Sequence, residues 1–437
     1  MLMMAIQRPR NLAASRRYKW LLLGFLFLVS ALNYADRGAL TAIFPLLKSE
    51  LGMSDVALAA TGSVFLWSYA LVSPFAGYVG DRFSRSSVIA WSLAAWSLVT
   101  ALTGLASNTN HILITRVALG LAESLYFPAA IALIAEHHSS QTQATAMGIH
   151  LSGVYAGVIA GATFTGYVGD KFGWRPAFFI LGTSGLILAL GGSFFLFENP
   201  QDEESCASKS SSTTFLRPAS LPMREVISAL LKIPSYLVLL GEAMLLAIGG
   251  MIFMNWLPLY FSETFGMSLA GAGFSGTFLI QAGSIVGILG GGFLSDRVAQ
   301  RSPKYRMLFQ CLCNLVAAPL LLVFLRPPNY ALVAGSLLFY SLARSLGGAN
   351  ANPLTSVLVK PRMRSTAFGL ANMANCLAGG AGVLLAGYLK RDFGLGLIFA
   401  GVSCIVIMAE ILLLFGYLKF LNKDLKSLAD RSVHIGQ

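Results

Sequence analysis

Apolar residues occur along the chain in long, nearly unbroken runs that short polar segments separate. A helix needs about 20 mainly apolar residues to cross the hydrocarbon core of a bilayer. A hydropathy pass finds about twelve runs near or above that length. They lie at residues 19–47, 54–80, 86–107, 110–136, 141–169, 175–197, 234–262, 267–295, 305–325, 329–358, 364–390 and 394–421. The pattern therefore predicts an all-α membrane protein, and we number its transmembrane helices spans 1 to 12 in chain order.

One polar segment is much longer than the others and is rich in serine and charge. It runs from Glu198 to Lys232 and contains the stretch ESCASKSSSTT, a composition typical of a flexible linker. It divides the spans into two sets of six. The expected organisation is an N-terminal cytoplasmic segment (1–18), an N-terminal six-helix half (19–197), a cytoplasmic linker (198–233), a C-terminal six-helix half (234–421) and a cytoplasmic tail (422–437).

A short motif recurs at the ends of four spans. GYVGDRF at 77–83 returns as GYVGDKF at 166–172, with weaker copies GFLSDR at 292–297 and GYLKRDF at 387–393. Residues 145–173 also align without a gap onto 366–394, an offset of 221 residues. Internal repeats of this kind build pseudo-symmetric transporters with a central binding site. The repeat predicts two related halves.

Composition and charge agree with a membrane protein. Only 11% of the 437 residues are charged and the mean hydropathy is +0.69, whereas soluble domains carry about 25% charged residues. The net charge of +12 comes largely from Lys and Arg in alternate loops and at both chain ends, a pattern that sets membrane topology. We therefore expect both termini in the cytoplasm and no nucleic-acid partner.

Catalytic and metal-binding patterns are not recognisable in the sequence. It has no nucleophile–base constellation, no cluster with metal-ligand spacing and no glycine-rich phosphate loop. The five cysteines, which include Cys311 and Cys313, lie mostly in apolar stretches and are expected to pack. The chain is therefore expected to be neither an enzyme nor a holder of a cofactor or metal.

At this point the residues resemble the major facilitator superfamily. The loop motif of that superfamily, Gly-x-x-x-Asp-Arg followed by basic residues, corresponds to Gly77, Asp81, Arg82 and Arg85, and its second copy to Gly292, Asp296 and Arg297. The resemblance implies twelve helices in two pseudo-symmetric halves. An Asp at a helix end can cap a neighbouring helix, and an Arg can pair with carboxylates. We expect such contacts to form in one access state and to break in the other.

Two stretches narrow the set of transporter families that the chain resembles. Asn33-Tyr34-Ala35-Asp36-Arg37 in span 1 and the segment 116–128 in span 4 are similar to the organic anion:cation symporters and also to Spinster-type lipid carriers. Span 5 lacks the Gly-Pro signature of proton-coupled drug antiporters. The resemblance implies a monomeric carrier of the inner membrane that imports a small organic anion with protons. The alternative is a carrier of lysolipid or another amphipathic lipid.

Four charges inside the apolar runs are the main functional candidates: Asp36, Arg37, Arg116 and Glu123. Each costs about 2.5 to 3.5 kcal/mol to insert, so such residues mark function. Burial favours the protonated carboxyl and a nearby Arg favours the ionised one, so Asp36 and Glu123 are the proton-coupling candidates. Arg37 is expected to bind a substrate carboxylate with its planar fork, and Arg116 to line the site and tune Glu123. The alternative is a static network of salt bridges.

Further substrate contacts are expected from hydroxyl and amide groups. Tyr34 and Tyr69 are candidates in the first half. The candidates in the second half are amides that suit a hydroxylated solute: Gln281, Asn352, Asn372 and Asn375. Amides also hold helices together in membranes, so a packing role is the alternative. His150 is expected to pack, Arg344 is a weaker anion-binding candidate, and Glu242 has no assigned role.

Overall fold

The computed structural model describes residues 17–139, 142–196, 223–300, 302, 304–326, 329–360 and 363–425. This part of the chain is helical and contains no strand. Eleven of its helical stretches are long and apolar enough to cross a membrane. The longest, Arg364–Leu425, contains a break at Gly394, where φ is 70° and ψ 162°. This stretch therefore provides spans 11 and 12, and the twelve predicted spans are all present.

Several spans are interrupted or end in a different helix type. Spans 1 to 6 comprise Tyr18–Ala42, Asp55–Arg82, Arg85–Thr103, Thr109–Glu123 with Tyr126–His137, Gln143–Phe172 and Arg175–Phe195. Spans 7 to 10 comprise Pro234–Phe265, Leu269–Ala299, Tyr305–Ala317 with the 3₁₀ segment Ala318–Leu325, and Tyr330–Gly348 with Ala351–Leu358. Spans 11 and 12 lie within Arg364–Gly416, followed by the π-helical turn Tyr417–Leu421.

The end of span 1 differs from the prediction. The apolar run continues to residue 47, but the helix ends at Ala42, and Ile43 leaves the helical conformation. A separate helix, Phe44–Leu51, then begins with Pro45 in its first turn. Proline has no N–H to continue a helix but is well placed at the start of one. Hydropathy alone does not detect this break because every residue near it is apolar.

Part of the predicted linker is helical. Residues 197–222 lie outside the described residues, as do 1–16 and 426–437, so the predicted terminal segments are described only in part. Met223–Leu230 forms a short helix whose Val226 and Leu230 are buried against the second half. The serine-rich stretch before this amphipathic helix made the whole segment resemble a flexible linker, so the sequence did not predict the helix.

Glycines of span 5 bring that helix close to span 1. A side chain at Gly157 or Gly161 would overlap the carbonyl oxygens of Ala31 and Ala35, respectively. Small residues let helix backbones approach closely in membranes. The segment that carries Asp36 is therefore held firmly against span 5.

The two halves also touch along spans 2 and 11. Ser63 Oγ donates to the carbonyl oxygen of Gly380 at 2.7 Å, and Trp67 Nε1 donates to that of Leu377 at 3.1 Å. Because the spans cross in alternating directions, their connections alternate between two ends of the bundle. We call the end that carries the 1–2, 3–4, 5–6, 7–8, 9–10 and 11–12 connections the Asp170 end, and the opposite end the Asp296 end.

Candidate functional site

A cavity of about 120 Å³ lies between the two halves. The first half contributes residues of spans 1, 2 and 4, and the second half contributes residues of span 7. The lining residues are Tyr34, Arg37, Leu40, Thr41, Thr61, Gly62, Phe65, Leu66, Arg116, Met251, Met254 and Asn255. Two of the four predicted charges, Arg37 and Arg116, therefore face the interface between the halves.

Arg37 of span 1 pairs with Glu123 of span 4. Its Nε donates to Glu123 Oε2 at 2.8 Å, and its Nη2 lies 2.8 Å from the same oxygen. The side chain of Glu123 is fully buried, whereas that of Arg37 is 15% exposed. The pair therefore connects a buried carboxylate to a guanidinium at the cavity wall.

Three aromatic rings surround the Arg37 guanidinium. Its Cζ lies 4.4 Å from the ring centre of Tyr34, 5.0 Å from that of Phe65 and 5.1 Å from that of Tyr69. Ring faces attract cations at these distances. The rings therefore keep Arg37 at the cavity even when its carboxylate partner changes, and they bring the predicted residues Tyr34 and Tyr69 to the site.

Asp36 points away from Arg37, toward span 3. It is 1% exposed, and its Oδ2 accepts a hydrogen bond from Thr100 Oγ1 at 3.0 Å. Its Oδ1 is buried and has no hydrogen-bond partner in the described ranges. Within the described residues Asp36 forms no ion pair. A buried carboxyl with one free oxygen and no cation in direct contact among the described residues is suited to accept a proton.

Arg116 lies in the cavity wall, where its expected influence on Glu123 acts without a direct ion pair. It is 3% exposed and lines the cavity, and its buried Nε and Nη2 have no hydrogen-bond partner in the part of the chain that the structure describes. The seven-residue spacing puts Arg116 and Glu123 on one face of span 4 but about 10 Å apart along the axis. Within the described residues, Arg37 is the ion-pair partner of Glu123 and Arg116 has none.

The predicted amides of the second half do not line this cavity. Asn352 and Asn372 are exposed, and Gln281 and Asn375 are partly buried elsewhere. Asn372 Nδ2 donates to Ser73 Oγ at 3.1 Å, which joins spans 11 and 2. The second half instead contributes Met251, Met254 and Asn255.

Asn255 is a polar cavity residue that the sequence reasoning missed. Its Nδ2 donates to the carbonyl oxygen of Met251 at 2.9 Å, and its amide oxygen abuts Gly62 of span 2. Only a glycine leaves room for that contact. An asparagine inside an otherwise apolar run of span 7 was the signal that could have identified it.

The gate residues that the structure describes at the Asp296 end make contacts within one half. The side chains of Gly77, Asp81 and Arg82 lie outside the described part of the structure. Arg85 pairs with Glu136 of span 4.

The second copy of the motif also makes its described contacts within one half. Arg306 Nη2 lies 2.8 Å from Asp296 Oδ1, both in the second half. Arg297 stacks on Phe293 at 4.2 Å from its ring centre, while Gly292 has open space beside it. Their predicted gating role stays a prediction.

Charged side chains join the two halves at the opposite end. Asp170, in the second full copy of the repeated motif, accepts hydrogen bonds from the backbone N–H groups of Leu269 and Ala270, both at 3.0 Å. These are the first residues of span 8, whose N–H groups have no helical acceptor. A carboxylate at a helix N-terminus also interacts favourably with the helix dipole. Asp170 thus ties the first half to the second.

A cluster of four charges reinforces this end. Lys390 Nζ of span 11 lies 2.9 Å from Asp55 Oδ1 and 2.8 Å from Glu263 Oε1. Lys48, between spans 1 and 2, lies 3.0 Å from Asp55 and 3.5 Å from Glu263. The cluster therefore has two members from each half. The copies of the motif at Asp170 and Lys390 were visible in the sequence, but their partners were not.

The remaining candidates, His150 and Arg344, make packing and helix–helix contacts. His150 is fully buried, with its ring centre 6.0 Å from that of Tyr126 and 5.9 Å from that of Phe127. Arg344 of span 10 donates to the carbonyl oxygen of Leu246 at 3.5 Å. Neither side chain lines the central cavity.

Residues 26–383 match the Major Facilitator Superfamily. The match covers most of the chain, so the chain belongs to this superfamily and is a multi-pass membrane transporter rather than an enzyme. The predicted all-α fold with twelve spans is thereby confirmed.

Known proteins resemble the chain along nearly its whole length. It is 26% identical over 431 residues to the probable galactarate/D-glucarate transporter GudP of Bacillus subtilis (strain 168), covering 92% of each chain. It is also 26% identical over 383 residues to an MFS-type efflux pump of Mycolicibacterium smegmatis, covering 86% of this chain and 85% of that one. A solved bacterial homolog of the human lysosomal transporter Spinster, inward-facing and unoccupied, superimposes with a TM-score of 0.82 at 21% identity, covering 94% and 99% of the two chains.

Proposed function

We propose that this transporter carries a small organic anion, such as a sugar acid, together with protons by alternating access. In this proposal the protein works as a monomer in the inner membrane, with both termini in the cytoplasm. Uptake of the anion would be driven by the proton gradient.

The free donors of Arg116 are the observation that carries the proposal. A buried guanidinium whose Nε and Nη2 have no acceptor among the described residues is costly unless a ligand supplies one. The planar guanidinium fork matches the two oxygens of a carboxylate. Since Arg116 lines the cavity between the halves, a carboxylate entering there would satisfy these donors.

The Arg37–Glu123 pair offers a way to couple protons to the anion. When Glu123 takes up a proton, it loses the charge that holds the guanidinium. Arg37, which the three rings keep at the cavity wall, is then free to bind a second substrate oxygen. Release of the substrate returns Arg37 to Glu123 and expels the proton. Asp36, which has no ionic partner among the described residues, is the second proton-binding candidate.

The contacts at the Asp170 end support alternating access. They join the halves on one side of the cavity, while the described ion pairs of the gate motif at the Asp296 end stay within one half. In the proposed cycle the Asp170 end opens when the Asp296 end closes. Asp81, Arg82, Arg85, Asp296 and Arg297 would then form the contacts between the halves.

A relative named as a probable galactarate/D-glucarate transporter favours a dicarboxylic sugar acid as the substrate. The second candidate is an amphipathic lipid. The apolar part of the cavity wall favours it, since the lining includes Leu40, Phe65, Leu66, Met251 and Met254. The two substrates differ in charge and length, so one binding screen separates them.

The test is a thermal-shift screen on the purified full chain with galactarate, D-glucarate, galactitol and a lysolipid. A ligand at about 100 times its Kd stabilises the folded protein by about 2.7 kcal/mol. We expect a rise in Tm with the two sugar acids and none with galactitol, because the neutral polyol lacks the carboxylates. Stabilisation by lysolipid alone would reject the organic anion and support the lipid carrier.

Proteoliposomes then test the coupling. An inward proton gradient should drive accumulation of labelled sugar acid above its external concentration, and a protonophore should abolish it. Accumulation that is the same with and without the pH gradient would contradict proton symport, even if the sugar acid binds. Net export under the same gradient would instead match the activity named for the mycobacterial relative.

A further inference from the structure

Two carboxyl groups are buried in the second half, away from the central cavity. Glu242 of span 7 is 2% exposed and Glu410 of span 12 is 0% exposed. Each accepts a hydrogen bond from an amide of span 9: Gln310 Nε2 donates to Glu242 Oε1 at 2.8 Å, and Asn314 Nδ2 donates to Glu410 Oε1 at 2.7 Å. Gln310 and Asn314 are four residues apart and so lie on one face of span 9. We call these four side chains the span 7–9–12 cluster.

Neither carboxyl of the cluster has a positively charged partner. Within the described residues, no Lys, Arg or His side chain comes within 4.0 Å of Glu242 or Glu410. Arg344 of span 10 is near enough to attract both carboxylates; its Nη2 donates to the carbonyl oxygen of Leu246 at 3.5 Å, and its Nε is buried without an acceptor among the described residues.

The other titratable neighbours are two thiols of span 9. Cys311 Sγ lies 3.7 Å from the backbone carbonyl oxygen of Glu410, and Cys313 is near the same residue. A thiol supplies no positive charge. Two ionised carboxylates would therefore lie in an apolar helix interface with no counter-ion in contact, which is strongly unfavourable.

The hydrogen bonds of the cluster show a shortage of donors. Three of its oxygens are buried and have no donor among the described residues: Gln310 Oε1, Asn314 Oδ1 and Glu410 Oε2. None of its nitrogen atoms lacks an acceptor. All four residues are at least 98% buried, so bulk water does not reach them. A proton on a carboxyl oxygen removes one charge and converts one acceptor into a donor, which meets both deficits at once.

We propose that the span 7–9–12 cluster is a second proton-binding site, separate from the central cavity and built by Glu242 and Glu410 with Gln310 and Asn314. The proton comes from water and binds a carboxylate oxygen to give a neutral carboxylic acid. An amide that rotates to present its oxygen accepts the new O–H, so either protonation state keeps a hydrogen bond. The site does not depend on the proposed substrate or on the charges of spans 1 and 4.

Infrared spectroscopy of the purified full chain in lipid tests this proposal. A protonated carboxylic acid has a carbonyl stretch that is separated from the carboxylate bands and shifts in D₂O. We expect such a band near neutral pH, and we expect Glu410→Gln or Glu242→Gln to remove part of its intensity. Glu225→Gln is the matched control, because Glu225 is exposed on the short helix before span 7 and should leave the band unchanged.

Two further variants keep the proposal testable if the Glu variants fail to fold. Gln310→Met and Asn314→Leu keep both carboxyls but remove the amides that bond to them, so each should shift the frequency of the acid band. Bands identical to wild type in all variants that fold would overturn the proposal. A band that appears only when choline replaces Na⁺ would overturn it as well, since the occupant would then be Na⁺.

The pH dependence of stability gives an independent readout. If the folded protein holds a proton here that the unfolded chain releases at neutral pH, then stability falls as the pH is raised. We expect Tm to fall between about pH 6 and about pH 9, and to fall less in Glu410→Gln than in wild type and Glu225→Gln. Equal slopes in all three proteins would contradict a proton on this cluster.

Discussion

Nε and Nη2 of Arg37 both contact a single oxygen of Glu123, each at 2.8 Å. The contact joins span 1 to span 4 and determines which of the buried charges are paired with each other. It occupies the guanidinium expected to bind substrate and leaves the donors of Arg116 without an acceptor. The pair therefore links the protonation state of Glu123 to the number of guanidinium groups available to an anion.

Replacing Glu123 with Gln should uncouple protons from the substrate. The amide resembles the protonated acid, so Arg37 should remain free for the anion and substrate counterflow should continue. Accumulation driven by a pH gradient should be lost, because protonation can no longer cycle. Counterflow, pH-driven accumulation and Tm are measured on the same proteoliposome preparation.

The alternative for this pair is a purely structural salt bridge. Stranding a fully buried charge costs about 3 to 5 kcal/mol, and Tm and counterflow would then fall together in Glu123→Gln. We expect a smaller loss of Tm, since the Arg37 side chain is 15% exposed and faces the cavity. Retained pH-driven accumulation would remove Glu123 as a coupling residue and leave Asp36.

Replacing Asp36 with Asn should also abolish pH-driven accumulation, but with little loss of stability. Asp36 forms no ion pair among the described residues, so the change breaks no salt bridge, and Thr100 can still donate to the amide oxygen. Counterflow at saturating substrate should persist. If Asp36→Asn still accumulates substrate against its gradient, then Asp36 is not required for proton coupling.

Replacing Arg116 with Lys should weaken anion binding despite the retained charge. An ammonium group cannot reproduce the planar two-donor geometry, and the loss of one good hydrogen bond of about 1.4 kcal/mol corresponds to a tenfold rise in Kd. Titration by thermal shift or calorimetry measures this. Arg326→Lys, at an exposed position beyond span 9, is the control. Equal affinity in Arg116→Lys and wild type would exclude Arg116 from the binding site.

Replacing Asp170 with Ala should favour opening of the Asp170 end. The substitution removes two hydrogen bonds to the start of span 8, and loss of such a cap costs about 1 kcal/mol. This corresponds to about a fivefold change in the ratio of the two access states. Spin labels at Ser107 and Arg326, exposed in each half at this end, should report a larger population of long distances.

Asp392→Ala is the control for Asp170, because Asp392 is an exposed acid at the same end of the bundle. It should leave the distance distribution unchanged. The same distribution in Asp170→Ala and wild type would mean that this cap does not hold the halves together.

The contribution of Lys48 to stability should be lost only in alkaline solution. Burial acts to lower the pKa of Lys48, but its hydrogen bond to Asp55 and the nearby carboxylates outweigh this, so the pKa is raised. A group whose pKa rises on folding stabilises the protein below its unfolded value, about 10.4 for Lys. The stabilisation disappears as the pH rises through the folded pKa.

The Tm difference between wild type and Lys48→Met should therefore be constant between about pH 6 and about pH 9 and should shrink above about pH 10.4. A scan of Tm against pH for both proteins checks this. A difference that changes near neutral pH would show that Lys48 is not held charged by Asp55 and Glu263.

The charged residues of the first half were predictable because an ionisable group inside an apolar run is conspicuous in any sequence. Asp36, Arg37, Arg116 and Glu123 are all buried or at the cavity, as expected. Their pairing was not predictable. Spacing along span 4 placed Arg116 and Glu123 on one face, but it contains no information on the position of span 1, which supplies the actual partner of Glu123.

In the second half, even fewer of the side-chain positions could be predicted from the sequence. Hydropathy located spans 8, 10 and 11 but not their rotation about their own axes, so Gln281, Asn352 and Asn372 were assigned to a cavity that they do not line. Asn255 and Glu410 were not among the predicted site residues, although each is a polar residue inside a long apolar run.

The amino-acid sequence by itself determined the number of spans, the division into halves and the repeated motif. These follow from the thickness of the bilayer and from the backbone hydrogen bonds that must be satisfied within each helix. Only the tertiary structure decided which motif copies join the halves. Asp170 and Lys390 do so at one end, through partners that lie far away in the sequence. Such contacts depend on lateral packing and on the access state, and helix–helix packing in a membrane is selected by shape and hydrogen bonding rather than by hydropathy.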